Sequence, residues 1–159
     1  MKTHQIFWKA VGMGAIAGAR SLAAPALLIE HYLKHPSGKL GASRLSFMQR
    51  PAPALLTRTL MFTEFAGDKL PTAPNRISPS ALTGRALSGM LVGATVYLAS
   101  GKKGAQGAII GATSAVASTL LTFFGRKLLT KKTCCPDVVL GLAEDVLTVK
   151  GGQRLLRQG

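Results

Sequence analysis

Apolar residues fall in blocks along the chain, separated by short charged stretches. From Gly104 to Gly125 no residue is charged. As a helix this run is ~33 Å long, against a bilayer core of ~30 Å. Lys102 and Lys103 precede it, and Arg126, Lys127, Lys131 and Lys132 follow, so both ends reach water or headgroups. Gln106, Thr113, Ser114, Ser118, Thr119 and Thr122 are polar, which also allows a buried helix of a soluble protein. A second block, 81–100, carries one charge, Arg85, one turn inside its start. Ser80, just after Pro79, is the expected N-cap, and Arg85 can snorkel from there to the interface. The short Ser100–Gly104 connection then makes the two blocks an antiparallel helical hairpin. A third block, 10–29, is interrupted only by Arg20 and is closed by Pro36 after Glu30, His31, Lys34 and His35. Lys2 and Lys9 ahead of Ala10–Ala19 also suit a signal peptide, but Arg20 in mid-stretch argues against one.

Two blocks are weaker. Residues 52–68 carry Arg58, Glu64 and Asp68, and 137–149 carry Glu144 and Asp145. Both are short and charged for a span and predict helices at the interface or half-buried in a bundle. Segments 36–51 and 70–80 are rich in Pro, Gly and Ser and predict loops. The expected fold class is all-α: one membrane domain over 1–159, a polytopic transmembrane bundle with spans at 10–29, 81–100 and 104–125.

Small residues recur at helical spacing inside these spans. Gly104, Gly107, Gly111, Ser114 and Ser118 form one stripe, and Ala108, Ala112, Ala115, Thr119 and Thr122 an adjacent one. Ile109, Ile110, Val116, Leu120 and Phe123 lie opposite. Gly89 and Gly93 mark the preceding helix, and Gly14, Gly18, Ser21 and Pro25 the first. In lipid, small residues matter because they let backbones approach. Gly14, Gly18, Gly89, Gly93, Gly107 and Gly111 are therefore the expected helix-packing positions, within one chain or between subunits.

Composition sharpens this picture. The chain has 159 residues, 18 Gly, 47% hydrophobic and only 16% charged residues, with a net charge of +14. A disordered basic tail would be more charged and less apolar, and two Cys exclude a disulfide-rich scaffold. Lys and Arg flank the apolar blocks and form no aromatic-interleaved stripe, so anionic lipid headgroups explain them better than nucleic acid. The basic excess after the last strong span predicts a cytoplasmic C-terminus and a hairpin turn on the outer side.

Charges inside the blocks carry the candidate chemistry. A lone Arg at mid-bilayer costs ~2.5–3.5 kcal/mol on insertion scales. Arg20 should therefore meet a carboxylate or a water-filled cavity. Glu64 and Asp68, four apart on one helix face with Lys69 adjacent, form one candidate pair, and Glu144 with Asp145 the other. Glu30 is ~15 Å away along the same helix and out of reach. The arrangement is either an internal ion pair fixing helix register or a polar site for an ion, proton or headgroup.

Gly18-Ala19-Arg20-Ser21 followed by Pro25, and Glu64-Phe65-Ala66-Gly67-Asp68-Lys69-Leu70-Pro71, with Gly84-Arg85 and Glu144-Asp145 in order, resemble a bacterial membrane family, domain of unknown function 4126. The resemblance covers about residues 10–149. It implies a multi-helix integral protein of the bacterial inner membrane and implies no activity.

Other constellations add little. His31 and His35, four apart, could hold a metal but equally suit a helix C-terminus. Cys134-Cys135 reads as two small residues at a membrane edge, and Gly101–Gly104 lacks the spacing of a phosphate loop. No catalytic constellation, cofactor site or metal site is expected. The sequence points to a non-enzymatic structural or interaction subunit, alone, as a homo-oligomer or in a larger membrane complex. The rival is a small transporter or channel built on Arg20, Glu64 and Asp68.

Overall fold

The structure is a computed structural model that describes residues 3–67, 78–132 and 137–157, with side chains described over 3–61, 78–125 and 146–157. Among the described residues all regular structure is helical. The helices are α1 (Thr3–Ala19), α2 (Ala23–Lys34), α3 (Gly38–Gly41), α4 (Pro51–Gly67), α5 (Pro79–Ala99), α6 (Gly104–Lys132) and α7 (Asp137–Arg157), with a 3-10 turn at Ser46–Gln49.

The α5–α6 hairpin is the frame. Its helices are long and apolar enough to cross a membrane, and only 39% and 22% of their apolar windows are buried. Ser78, not Ser80, caps α5: its hydroxyl accepts from the Ala81 N–H at 3.4 Å, and Pro79 takes the first helical position. Pro suits that place because its missing N–H is one the helix leaves unpaired anyway. At the other end Gly101 adopts φ 76°. The Gly101 N–H bonds Leu98 O and the Lys102 N–H bonds Tyr97 O, both at 2.9 Å, which closes the last carbonyls of α5 in a Schellman turn.

The block at 10–29 is not one helix. It breaks at Arg20–Leu22 between α1 and α2. Pro25 lies in the first turn of α2, where it is tolerated. Further back in a continuous helix it would remove the bond to Ser21 O and its ring would clash there. The chain reverses at the break. Thr3, which starts α1, accepts from Lys102 Nζ in the hairpin turn at 2.8 Å. Ser37, just after α2, donates to Ala99 O at 3.0 Å. Ser21, between them, accepts from Ser88 on α5. α1 therefore begins and α2 ends at the hairpin-turn end, and the tip lies ~16–20 Å along α5 from it.

The expected loop at 36–51 contains α3 and the 3-10 turn. Leu40 and Met48 are fully buried. The Gln49 amide pairs with both main-chain groups of Ser37, at 2.9 and 3.0 Å. Residues 70–77 of the other expected loop lie outside the described residues.

The expected helices at 52–68 and 137–149 are present as α4 and α7, but α7 runs on to Arg157. It folds back over both arms of the α1–α2 hairpin. A Cβ on Gly152 would meet Leu27 and Ile16, and one on Gly12 would meet Leu155. Lys9 Nζ on α1 donates to Leu156 O at 3.3 Å. The end of α7 is thus near the hairpin turn. The helix that carries Arg154 and Arg157 returns toward the turn, whereas the sequence reading sets the C-terminus and the turn on opposite sides.

Candidate functional site

Glycines place α1, α5 and α6 in backbone contact. A Cβ on Gly93 would overlap Gly107 O and stand 3.0 Å from Gly111 Cα, and one on Gly111 would overlap Gly89 O. A Cβ on Gly14 would come within 2.6 Å of Gly111 O, and one on Gly18 within 2.9 Å of Ser118 Cβ. Six glycines, at 14, 18, 89, 93, 107 and 111, thus share one seam along three helices. Close approach brings short polar side chains within reach of neighbouring backbone, which matters most where a helix is broken.

That place is the Arg20–Leu22 tip. A break deep in a bundle leaves carbonyls that must find donors inside the protein. Gly18 O accepts from Thr119 Oγ1 at 2.9 Å and from Arg85 Nη1 at 3.1 Å. Ser21 O accepts from Ser88, and Ala15 O accepts from Ser118 Oγ at 2.8 Å. Thr119 is fully buried, and Arg20 and Arg85 are 2% and 6% exposed. Arg20 and Arg85 each have a further interaction partner. The arrangement can hold an unwound backbone segment and two cations away from solvent.

Arg85 differs from the sequence reading. It does not snorkel outward but turns into the bundle. Its spacing held the signal: Arg85, Gly89 and Gly93 are four apart, so the guanidinium starts on the same face as the small residues. Of the other candidates for the buried polar site, Asp68 and Lys69 lie outside the described residues. Glu64 lies in α4, and Glu144 and Asp145 in α7, but their side chains are outside the described residues too.

A second polar region lies where α2 and α7 end, on the turn side. His31, Lys34, His35 and Arg157 line a cavity of about 210 Å³. Glu30 pairs with Lys34 at 2.9 Å. The His31 and His35 rings are 5.2 Å apart, and no group of three metal-binding side chains occurs among the described residues. Burial holds the His31 imidazole below its ordinary value, and Lys9 and His35 add to this. A neighbouring cavity of about 340 Å³ continues toward the tip between α2, α4 and α7, lined by Ala26, Leu33, Ala54, Leu55 and Met61 with Arg58. Comparison with protein-family models, with curated proteins and with solved structures finds no match to this chain.

Proposed function

We propose that the chain is a small integral membrane protein that acts as a non-enzymatic structural or interaction subunit. In this reading α5 and α6 cross the bilayer, while the α1–α2 hairpin enters and leaves on the turn side. One observation carries the reading. Leu87, Met90, Ile109, Leu120, Leu121 and Phe124 point outward from the same two helices whose glycines meet inside. In water this face would be an apolar patch that nothing among the described residues covers. In lipid it is the surface such helices present, and small residues turned inward are how they associate. A bacterial inner membrane as the location is part of the proposal and rests on the sequence resemblance alone, since no family model matches the chain. The basic flanks suit its anionic headgroups.

Carbonate extraction and cysteine labelling test this. The protein should stay with the membrane. In a background without Cys134 and Cys135, Gly104→Cys and Arg157→Cys should label from one side and Gly125→Cys from the other. Release by carbonate, or Gly104→Cys and Gly125→Cys labelling from the same side, overturns it.

The break at Arg20–Leu22 favours a second reading, a small transporter or channel. Broken helices at membrane depth commonly line substrate and ion sites. Arg20 and Arg85 would then serve a polar site with Glu64 and Asp68. Solute flux in liposomes that Arg85→Lys abolishes without unfolding the protein would establish this reading over the first.

A further inference from the structure

We propose that the paired cavity between α2, α4 and α7 binds one anionic phospholipid, its phosphate in the polar part and an acyl chain in the apolar part. The inference rests on the membrane reading above and adds to it a defined site and ligand class.

Three observations carry it. The first is charge. Among the described residues, Lys34, Arg157 and Arg58 line the two cavities with one carboxylate, Glu30. Lys9 is close enough to act on His31. Glu30 does not cancel the site, because its pairing with Lys34 is solvent-exposed and such pairs are weak. A phosphate offers Lys34 and Arg157 a second, stronger acceptor.

The second is polarity along the depth axis. The polar cavity lies beside His35 and Arg157, near the turn end. The apolar cavity begins at Leu27, Glu30 and Gln153, which line both, and runs past Ala26, Ala54 and Met61 toward the tip. A lipid whose headgroup faces the turn side has the same order of polar and apolar parts.

The third is access. Leu55 is 71% exposed at the edge of the apolar cavity, so an acyl chain can enter sideways from the bilayer. A free phosphate would use the polar part alone and leave the apolar part without an occupant.

Native mass spectrometry of the full chain in a non-ionic detergent tests the site. Phosphatidylglycerol, phosphatidylcholine with the same acyl chains, and inorganic phosphate are the probes. One phosphatidylglycerol per chain should be retained, about tenfold more tightly than phosphatidylcholine. Lys34→Gln with Arg157→Gln should erase that preference, each charge contributing about threefold of it. Glu30→Gln should strengthen phosphatidylglycerol binding severalfold, an outcome that misfolding cannot mimic. Leu55→Asn should weaken both lipids while keeping the preference. Lys103→Gln, a turn-side cation outside the cavity, should change nothing. Equal retention of the two lipids overturns the proposal. So does a preference that survives the double substitution, or inorganic phosphate displacing phosphatidylglycerol completely. A loss with Lys103→Gln equal to that of the double substitution would assign the effect to general surface charge. If carbonate leaves the protein in the membrane but no lipid is selected, this site fails while the membrane reading stands.

Discussion

The α1–α5–α6 side and the α2–α4–α7 side are built in opposite ways. On the first, glycine Cα atoms face carbonyls, and short hydroxyls reach across to backbone oxygens. A seam of that kind has nothing that can move aside. On the second, long side chains keep helices apart and leave two cavities. Gly152 there, and Gly12 where α1 meets α7, face only leucine side chains and the end of an isoleucine. The contrast separates a rigid frame from a surface that can adapt to an occupant.

The harshest way to break this contrast is to add bulk to the seam. Gly93→Leu should cost more than about 3 kcal/mol and abolish recovery of folded protein from detergent. Gly84→Leu should be tolerated, because a Cβ there meets nothing within 4 Å. Gly152→Ala should be mild, since the Leu27 side chain can give. If Gly93→Leu and Gly152→Ala lower the thermal midpoint alike, the two sides are not different in kind.

Next comes the tip. Arg85→Leu removes a charged donor from Gly18 O and should cost about 2–3 kcal/mol, read as a lower midpoint in thermal unfolding. Arg85→Lys should recover part of it. Smaller still, Thr119→Val should cost about 1 kcal/mol, whereas Thr113→Val, at an exposed position of the same helix, should cost nothing measurable.

The least effect belongs to pH on the adaptable side. His31 has a lowered pKa when folded, so below about 6.5 the unfolded chain takes up a proton that the folded chain resists. Stability should therefore fall slightly as pH drops from 7.5 to 5.5. His31→Gln should flatten that fall. The groups around His31 are Lys9 on α1, Glu30, Lys34 and His35 on α2, and Arg157 on α7. An added phosphatidylglycerol should offset the fall by favouring the protonated ring. Identical pH profiles for the wild type and His31→Gln would remove His31 from the explanation.

Much of the frame was legible before the structure. The long runs with one charge or none give α5 and α6 because their length and lack of charge need no tertiary information. The cap of α5 was misplaced by two residues because Pro79 reads equally as preceding a helix or opening it. The break at Arg20–Leu22 was hidden for a different reason. Block hydrophobicity is blind to direction, and Pro25 fits a kink, a first turn or a small contact residue alike. Only the partners of Gly18 O and Ser21 O, far away in sequence, decide that the chain turns back. Arg85 lies near a helix end, which suits snorkelling, but the face it shares with Gly89 turns it inward. Asp68 and the side chains of Glu64, Glu144 and Asp145, the acids set against Arg20, fall outside the described residues.

The tip also sets an order of events during synthesis. Its carbonyls are made first, but their donors come much later: Arg85 lies 67 residues beyond Gly18, and Thr119 lies 101 beyond it. Until α5 and α6 have left the ribosome, Gly18 and Ser21 can find donors only in water. The earliest-made hairpin therefore cannot complete its tip until α5 and α6 are made. A chain truncated after Ala99 should then leave its first thirty or so residues open to protease, while the full chain protects them.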